Sequence, residues 1–213
     1  MTEINQRINK SGVLPVINIK KTEWALPLAK ILLEAGFPAL EITLRSDSAL
    51  EAIKIIHEAY PEMILAAGTV FYPEQADAAI AAGATFLVTP GYEAGLAAYC
   101  KEKGYTLVPG CASPSEIQTA YVGGIDVQKF FPAELSGGVA ALKLFSGAFR
   151  DVKFVPTGGI SLSNLGSYLK ESCVLACGGS FMAPANLLEA EDWDTVRELC
   201  AKVAAIAKEA GRV

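Results

Sequence analysis

The sequence has 213 residues, of which 52% are hydrophobic and 19% are charged. That share of apolar side chains is enough for a sizeable buried core and too high for an intrinsically disordered chain. The chain has 18 lysines and arginines and 23 aspartates and glutamates, so its net charge is −5. This balance argues against a nucleic-acid binder, and the lack of a basic amphipathic stretch argues against a membrane-surface role.

Targeting and metal-binding signals are missing from the sequence. The N-terminal residues M-T-E-I-N-Q-R-I-N-K contain no apolar segment of signal-peptide length, and no run reaches the roughly 18 apolar residues of a spanning helix. Cys173 and Cys177 are four apart without partners, and His57, in a helical stretch, is the single histidine. Five scattered cysteines do not form a disulfide framework. We therefore expect a cytoplasmic protein with no metal and no cofactor.

One pattern repeats along the chain: a short β-branched run, a small or glycine-rich turn, and an amphipathic stretch of helical period. Alternating strands and helices indicate a parallel sheet. Eight such units without a linker predict a single (β/α)8 TIM barrel domain over residues 1–213. A doubly wound open sheet is the alternative, but no G-x-G-x-x-G motif follows the first strand. The strand-like runs begin near Val13, Ala39, Met63, Ala84, Thr106, Asp126, Lys153 and Cys173.

Additional helices are predicted at both ends of the barrel. The segment Thr2–Lys10 carries Ile4 and Ile8 four residues apart, which is the spacing of one helical face, and we expect it to cap the bottom of the barrel. The segment Asp192–Glu209 is predicted to be a long helix with an apolar stripe. In a barrel the chemistry lies at the carboxyl ends of the strands, so those ends are the candidate site.

The second predicted strand has a polar face. Its side chains alternate between the two sides of the sheet, so Leu40 and Ile42 face the helices while Glu41, Thr43 and Arg45 point into the barrel. Charged groups inside a barrel are costly unless they are paired or functional. A half-exposed strand with its polar face in water is the structural alternative. For a barrel strand we favour the functional interpretation.

The sixth predicted strand contains Lys129, which is centred in the strand and followed by two phenylalanines. Burial disfavours a charged ammonium, and a lysine treated in this way becomes a nucleophilic amine that can form a Schiff base with a ketone. The structural alternative is an ion pair with Glu41. The two interpretations are compatible, because a nearby glutamate can both hold the resting ammonium and move protons during turnover.

Glycine-rich turns end the seventh and eighth predicted strands. In barrels the loops after these two strands often bind phosphate through backbone N–H groups, and glycine lets the backbone approach the anion closely. A single glycine pair is weak evidence, but two pairs at these two strand ends predict a substrate that carries a phosphate. The candidate phosphate-binding residues are Gly158, Gly159, Gly178, Gly179 and Ser180.

These strand ends, taken in order, resemble the 2-keto-3-deoxy-6-phosphogluconate (KDPG) aldolase family, also called the 4-hydroxy-2-oxoglutarate (KHG) aldolases. The resemblance covers nearly the whole chain, and its motifs K-F-F-P-A-E and P-T-G-G-I are highly specific. Ala67 and the stretch from Cys111 to Pro114 depart from the usual family residues without removing a catalytic group. The motifs are G-V-L-P-V, L-E-I-T-L-R, A-G-T-V, T-P-G, K-F-F-P-A-E, P-T-G-G-I and C-G-G-S.

The resemblance implies a trimeric, metal-free class I aldolase with Lys129 as the Schiff-base lysine and Glu41 as the proton shuttle. It implies that Arg45 and Thr69 bind the substrate carboxylate and that Pro90 lines the pocket. It further places Phe131 beside the imine and gives the hydroxyl of Thr157 a role in reading the C4 configuration of the substrate. The same glycine turns and Ser180 form the family's phosphate site.

The implied reaction is the Entner–Doudoroff cleavage of KDPG, a small 2-keto acid phosphate, to pyruvate and glyceraldehyde 3-phosphate. Cleavage of unphosphorylated 4-hydroxy-2-oxoglutarate is a related possibility. The alternatives are an aldolase for the 6-phosphogalactonate epimer (KDPGal), a phosphosugar isomerase or synthase on the same barrel, and a non-catalytic phosphate-binding barrel. The last of these should have lost Lys129 or Glu41, and both are present.

Overall fold

A computed structural model describes residues 3–212, in which parallel strands alternate with helices. The strands are β1 (Val13–Ile17), β2 (Ala39–Thr43), β3 (Ile64–Gly68), β4 (Phe86–Val88), β5 (Leu107–Val108), β6 (Gly110–Cys111), β7 (Val127–Phe130), β8 (Lys153–Pro156) and β9 (Cys177–Gly179). The helices are α1 (Glu3–Ser11), α2 (Ala25–Glu34), α3 (Ala49–Ala59), α4 (Pro73–Ala81), α5 (Ala94–Lys103), α6 (Pro114–Val122), α7 (Gly138–Ala148), α8 (Leu165–Leu169), α9 (Ala185–Glu189) and α10 (Trp193–Glu209).

The strands form two parallel sheets, one of six strands in the order β5-β4-β3-β2-β1-β9 and one of three in the order β6-β7-β8. The parallel α/β architecture predicted from the sequence is therefore confirmed, but the predicted single eight-stranded sheet is divided. The division falls within the predicted fifth strand, where Pro109 separates β5 from β6. Proline has no N–H to donate to a neighbouring strand, so the ladder is interrupted there. An isolated parallel bridge between Thr157 and Gly178 links the second sheet to β9.

Two apolar clusters lie on the two faces of the sheets. The inner cluster contains strand residues such as Leu14, Ile64 and Phe86, and it also contains Ile8 of α1 with Ile4 packed beside it. Helix α1 thus covers the amino-terminal end of the strands, as the spacing of its two isoleucines predicted. Thr2, the first residue of that predicted helix, lies outside the described residues.

The outer cluster joins the other face of the strands to the surrounding helices. It contains Leu40 and Ile42, whereas Glu41 and Thr43 alternate with them and are buried on the inner side, as the polar pattern of this strand predicted. Strand β2 ends at Thr43, so Arg45 lies beyond its last residue and is exposed.

Arg212, the last described residue, packs against the C-terminal part of α1. The guanidinium of Arg212 donates hydrogen bonds to the backbone carbonyls of Leu169 (3.1 Å) and Val174 (2.8 Å), and to the backbone and side-chain oxygens of Asn9. Its side chain packs over Gly12, just before β1. The charge is therefore satisfied by oxygens that would otherwise lack part of their hydrogen bonding. Among the described residues no helix is long and apolar enough to cross a membrane.

Candidate active site

Lys129 and Glu41 form a buried ion pair between β7 and β2. The Nζ of Lys129 lies 3.0 Å from Oε1 of Glu41, and their side chains are 9% and 1% exposed. Removing two charges from water is costly, and a hydrophobic pair of similar volume often stabilises a protein as well or better. The pair therefore calls for an explanation other than stability. The sequence prediction that these two residues meet is matched by this distance, although 88 positions separate them.

The two carboxylate oxygens of Glu41 differ in their surroundings. Oε1 accepts the hydrogen bond from Lys129, whereas Oε2 is buried and has no hydrogen-bond partner among the described residues. A buried carboxylate oxygen without a partner is unfavourable, because it has lost its hydration without replacement. Oε2 is accordingly free to accept a hydrogen bond from, or take a proton from, a bound molecule next to the lysine.

Phe131 follows directly after β7 and lies beside the amine. The Lys129 Nζ is 5.5 Å from the centre of the Phe131 ring, within the range of a cation–π contact. Phe130 faces the other way and packs edge-on against Phe145 and Phe154 in the outer cluster. Because side chains alternate along this strand, Phe130 packs in the core and Phe131 lies at the mouth of the site.

Arg45 and Thr69 lie at the exits of the adjacent strands β2 and β3, where Thr43 is opposite Gly68. The Arg45 Nε donates to the Thr43 hydroxyl over 3.1 Å, which fixes the guanidinium near this edge. Thr69 has a φ of 63°, which is rare for a β-branched residue and carries strain. Such strain is often found where a side chain is held for function rather than stability.

Pro90 lies at the exit of β4, against the strand that neighbours Lys129. A Cβ built on Gly110 would be only 2.1 Å from the Pro90 carbonyl oxygen, and Gly110 is the register partner of Lys129. The close approach of these two backbones therefore depends on a glycine. It brings Pro90 to the same end of the sheet as the ion pair.

The two predicted phosphate turns lie next to each other, joined by the bridge between Thr157 and Gly178. Gly158 and Gly159 both have left-handed backbones, with φ of 95° and 84°. A Cβ at Gly178 would be 2.3 Å from the hydroxyl oxygen of Thr157, and one at Gly179 would be 2.7 Å from the ring of Phe181.

These glycines therefore make room for neighbouring side chains as well as for backbone N–H groups. Ser180 is exposed at the rim. The next helices, α8 and α9, begin only at Leu165 and Ala185, so neither turn leads directly into a helix.

Sequence reasoning missed a hydrogen-bonded group that holds the first of these turns. The buried hydroxyl of Tyr168 donates to the Glu134 carboxylate, and the Glu134 side chain fills the space beside Gly159, where a Cβ would be 2.5 Å from its Cγ. Burial and the hydrogen bond to Glu134 raise the pKa of Tyr168 far above its usual range. Asn164 completes the support by donating to the Gly159 carbonyl over 3.0 Å. The glutamate of K-F-F-P-A-E was the available signal.

Ala67 and Cys111, which depart from the family pattern, lie on the outer face of the sheets, whereas the ion pair lies on the inner face. Ala67 and Cys111 are buried in the outer cluster, so their side chains pack against helices. His57 is exposed on α3, which confirms its predicted place in a helix. A cavity of about 570 Å³ lies near α1 and α5, lined by residues such as Ile4, Phe86 and Val108 at the amino-terminal end of the strands, and it does not include the ion pair. Among residues 3–212 no group of three or more metal-ligating side chains comes together.

A parallel α/β fold with a lysine and a glutamate buried together between its strands fits the class of enzymes that form a covalent imine with a carbonyl substrate. Residues 4–199 match the family model "KDPG and KHG aldolase". The chain belongs to the KDPG and KHG aldolase family. This membership favours the aldolase over the isomerase and the non-catalytic barrel.

Similar proteins support the same assignment. A 2-dehydro-3-deoxy-phosphogluconate aldolase of Treponema pallidum is 43% identical over 199 residues, covering 93% of this chain and 95% of that protein. A KHG/KDPG aldolase of Escherichia coli is 43% identical over 198 residues, covering 93% of each. The crystal structure of a Legionella pneumophila KDPG aldolase, with pyruvate captured as a covalent carbinolamine, has a TM-score of 0.90 and 39% identity, covering 95% of this chain and 98% of that one.

Proposed function

We propose that this protein is a class I aldolase that cleaves KDPG to pyruvate and glyceraldehyde 3-phosphate through an imine on Lys129. The observation that carries the proposal is the buried pair of Lys129 and Glu41, whose Nζ and Oε1 are 3.0 Å apart, while Oε2 of Glu41 has no hydrogen-bond partner within residues 3–212. The carbinolamine of pyruvate in the related Legionella enzyme supports the same chemistry.

The proposed reaction begins with attack of the neutral amine of Lys129 on C2 of the keto acid. The carbinolamine that forms loses water to give an iminium, which draws electrons from the C3–C4 bond. Glu41, directly or through a water molecule, takes the proton of the C4 hydroxyl as this bond breaks, so glyceraldehyde 3-phosphate leaves and an enamine of pyruvate remains. Protonation of the enamine at C3 and hydrolysis of the imine release pyruvate and the amine. One carboxylate can act as both base and acid in such a cycle.

The residues around the pair would hold the two ends of the substrate. Arg45 and Thr69 would bind the C1 carboxylate, since a guanidinium and a hydroxyl donate naturally to that group. Pro90 and Phe131 would line the pocket, and the turns at Gly158, Gly159, Gly178, Gly179 and Ser180 would hold the phosphate through their N–H groups. Binding at both ends would fix the scissile bond near the amine, which can supply a large part of the catalysis.

Trapping with pyruvate and borohydride tests the imine directly. We expect a stable adduct on the peptide that contains Lys129, because reduction converts the imine to a secondary amine that survives digestion. Lys143, a lysine on the exposed side of α7, should remain unmodified in the same digest and serves as the internal control. An adduct on another peptide, or none in a protein that cleaves KDPG, would contradict the assignment of Lys129.

Thr157 gives a reason to test the KDPGal alternative. Its hydroxyl is buried next to Gly178 and makes a long hydrogen bond of 3.3 Å to the Val155 carbonyl, so it could turn toward a substrate hydroxyl. We expect Thr157→Val to lower kcat/KM for KDPG at least about tenfold relative to the 6-phosphogalactonate epimer, because a hydrogen bond to the C4 hydroxyl would be lost.

Steady-state kinetics with both epimers and with 4-hydroxy-2-oxoglutarate provides the measurement. The control is Thr119→Val, which removes a hydroxyl from the exposed face of α6, where it donates to the Ser115 carbonyl. An unchanged ratio between the epimers in Thr157→Val would remove this residue from substrate recognition.

We propose further that β5 and β6 act as one strand of a closed eight-stranded barrel, and that three such single-domain chains form a homotrimer in the cytoplasm. The bridge between Thr157 and Gly178 supports the closure. Exposed apolar side chains are available for contacts between chains, among them Phe71, Val122 and Leu135.

A further inference from the structure

Gly68, the last residue of β3, lies against the carboxylate of Glu41. A Cβ built on Gly68 would be 2.2 Å from Oε1 of Glu41 and 2.9 Å from both its Cδ and its Cγ. Oε1 is the oxygen that accepts the hydrogen bond of Lys129. The carboxylate thus occupies the space that any side chain at position 68 would fill.

The backbone of Gly68 does not itself require glycine. Its φ lies outside the left-handed region, unlike those of Gly158 and Gly159. Its strand is held on both sides, by β2 through the register of Thr43 with Gly68 and by β4 through that of Gly68 with Val88. What glycine contributes here is the missing Cβ and not conformational freedom.

We infer that Gly68 is a positioning residue, which allows Glu41 to reach Lys129; the inference rests on the proposed role of this pair. A contact of 2.2 Å cannot persist, so either the strand or the Glu41 side chain must move when a methyl group is added. The strand is fixed by two ladders, whereas the clashing atom is the end of a side chain. The carboxylate will therefore move, and a displacement of about 1 Å breaks a 3.0 Å hydrogen bond and misplaces a proton-transfer group.

The inference also separates two steps of the reaction. Lys129 stays on its own strand when Gly68 is changed, so it keeps its ability to form an imine with pyruvate. Proton transfer at C3 of the bound pyruvate depends on the position of Glu41. Gly68→Ala should therefore slow the hydrogen–deuterium exchange of the pyruvate methyl group without reducing the amount of trapped adduct.

The test is a double-mutant cycle of Gly68→Ala and Glu41→Ala, followed by pyruvate methyl exchange in D2O and by borohydride trapping. We expect Gly68→Ala alone to slow exchange by about 100-fold, while the adduct on Lys129 still forms at saturating pyruvate. In the Glu41→Ala background the three atoms nearest to the added methyl, all of them in the Glu41 side chain, are absent, so Gly68→Ala should change exchange by less than about twofold. The matched control is Gly147→Ala in α7, where a Cβ would meet nothing within 4 Å.

The outcomes are distinguishable. Equal losses from Gly68→Ala in both backgrounds would mean that it acts on the strand and not through Glu41, and would overturn the inference, as would wild-type exchange in Gly68→Ala. If the single variant fails to fold but the double variant folds, the clash with Glu41 is demonstrated. Unchanged exchange in Glu41→Ala alone would overturn the proposed role of Glu41 and the inference with it, whereas a missing Lys129 adduct in the wild-type protein would overturn the proposed function.

Discussion

Replacing Lys129 with methionine is expected to lower kcat for KDPG cleavage by about ten-thousandfold or more, because the amine proposed to form the covalent intermediate is removed. Methionine keeps most of the volume of the lysine stem, so the loss would come from the amine and not from a cavity. The measurement is pyruvate release in a coupled assay, together with the absence of a borohydride-stable pyruvate adduct.

The variant leaves Glu41 without its counter-ion, and an uncompensated buried charge costs roughly 3–5 kcal/mol. The double variant Lys129→Met, Glu41→Gln removes both charges and keeps the test valid if the single variant unfolds. Light scattering should give the same native mass for the double variant as for the wild type. Lys153→Met is the control, since Lys153 begins β8 and donates to the Ser172 carbonyl at the surface. Substantial turnover in the folded double variant would refute the imine mechanism.

A second large effect is expected from Glu41→Gln, which should slow the exchange of pyruvate methyl protons by about 100- to 10,000-fold. Glutamine has the shape of glutamate, so the side chain can still reach Lys129, but its amide is not a base at neutral pH. The dissociation constant for pyruvate should change far less, because the amine proposed to bind C2 and the groups proposed to bind the carboxylate are retained.

The exchange rate is measured by NMR in D2O. The affinity for pyruvate is measured separately, from the dependence of borohydride trapping on pyruvate concentration. The control Glu209→Gln makes the same chemical change at the exposed end of α10. Parallel losses of exchange and affinity in Glu41→Gln would point to a structural role for the carboxylate, and unchanged exchange would exclude it as the shuttle.

The buried pair of Lys129 and Glu41 could be predicted from the sequence because each residue breaks a local rule. Alternation in β2 places Glu41 on the inner face with Thr43, and Lys129 stands within a fully buried strand. The local alternation of polar and apolar residues predicts which face of a strand a side chain lies on. The barrel hypothesis predicts that the inner faces of different strands surround one interior. Most strand positions could be predicted because their apolar runs are regular, but the predicted eighth strand begins at Cys177 and not near Cys173.

What the sequence could not reveal are contacts between residues far apart in the chain. Pro109 divides the predicted fifth strand, because proline cannot donate a hydrogen bond to a neighbouring strand. Gly159 and Gly178 were predicted to approach a phosphate, but the space beside them is filled by Glu134 and Thr157. A glycine in the sequence indicates that a side chain would not fit at that position, but it does not indicate which neighbouring group occupies the space. Gly68 is a further example, because the neighbouring group is the carboxylate of Glu41.

The hydrogen bonds of Arg212 have a practical consequence for engineering. They bring the C-terminal part of the chain to the Asn9 carbonyl, on the side of the sheets away from the strand exits that carry the ion pair. A short linker between the segment around Asn9 and the segment around Arg212 could therefore support a circularly permuted chain with new termini in an exposed loop. For the same reason, attachment of the protein to a solid support through either of these segments would leave the mouth of the site directed away from the support.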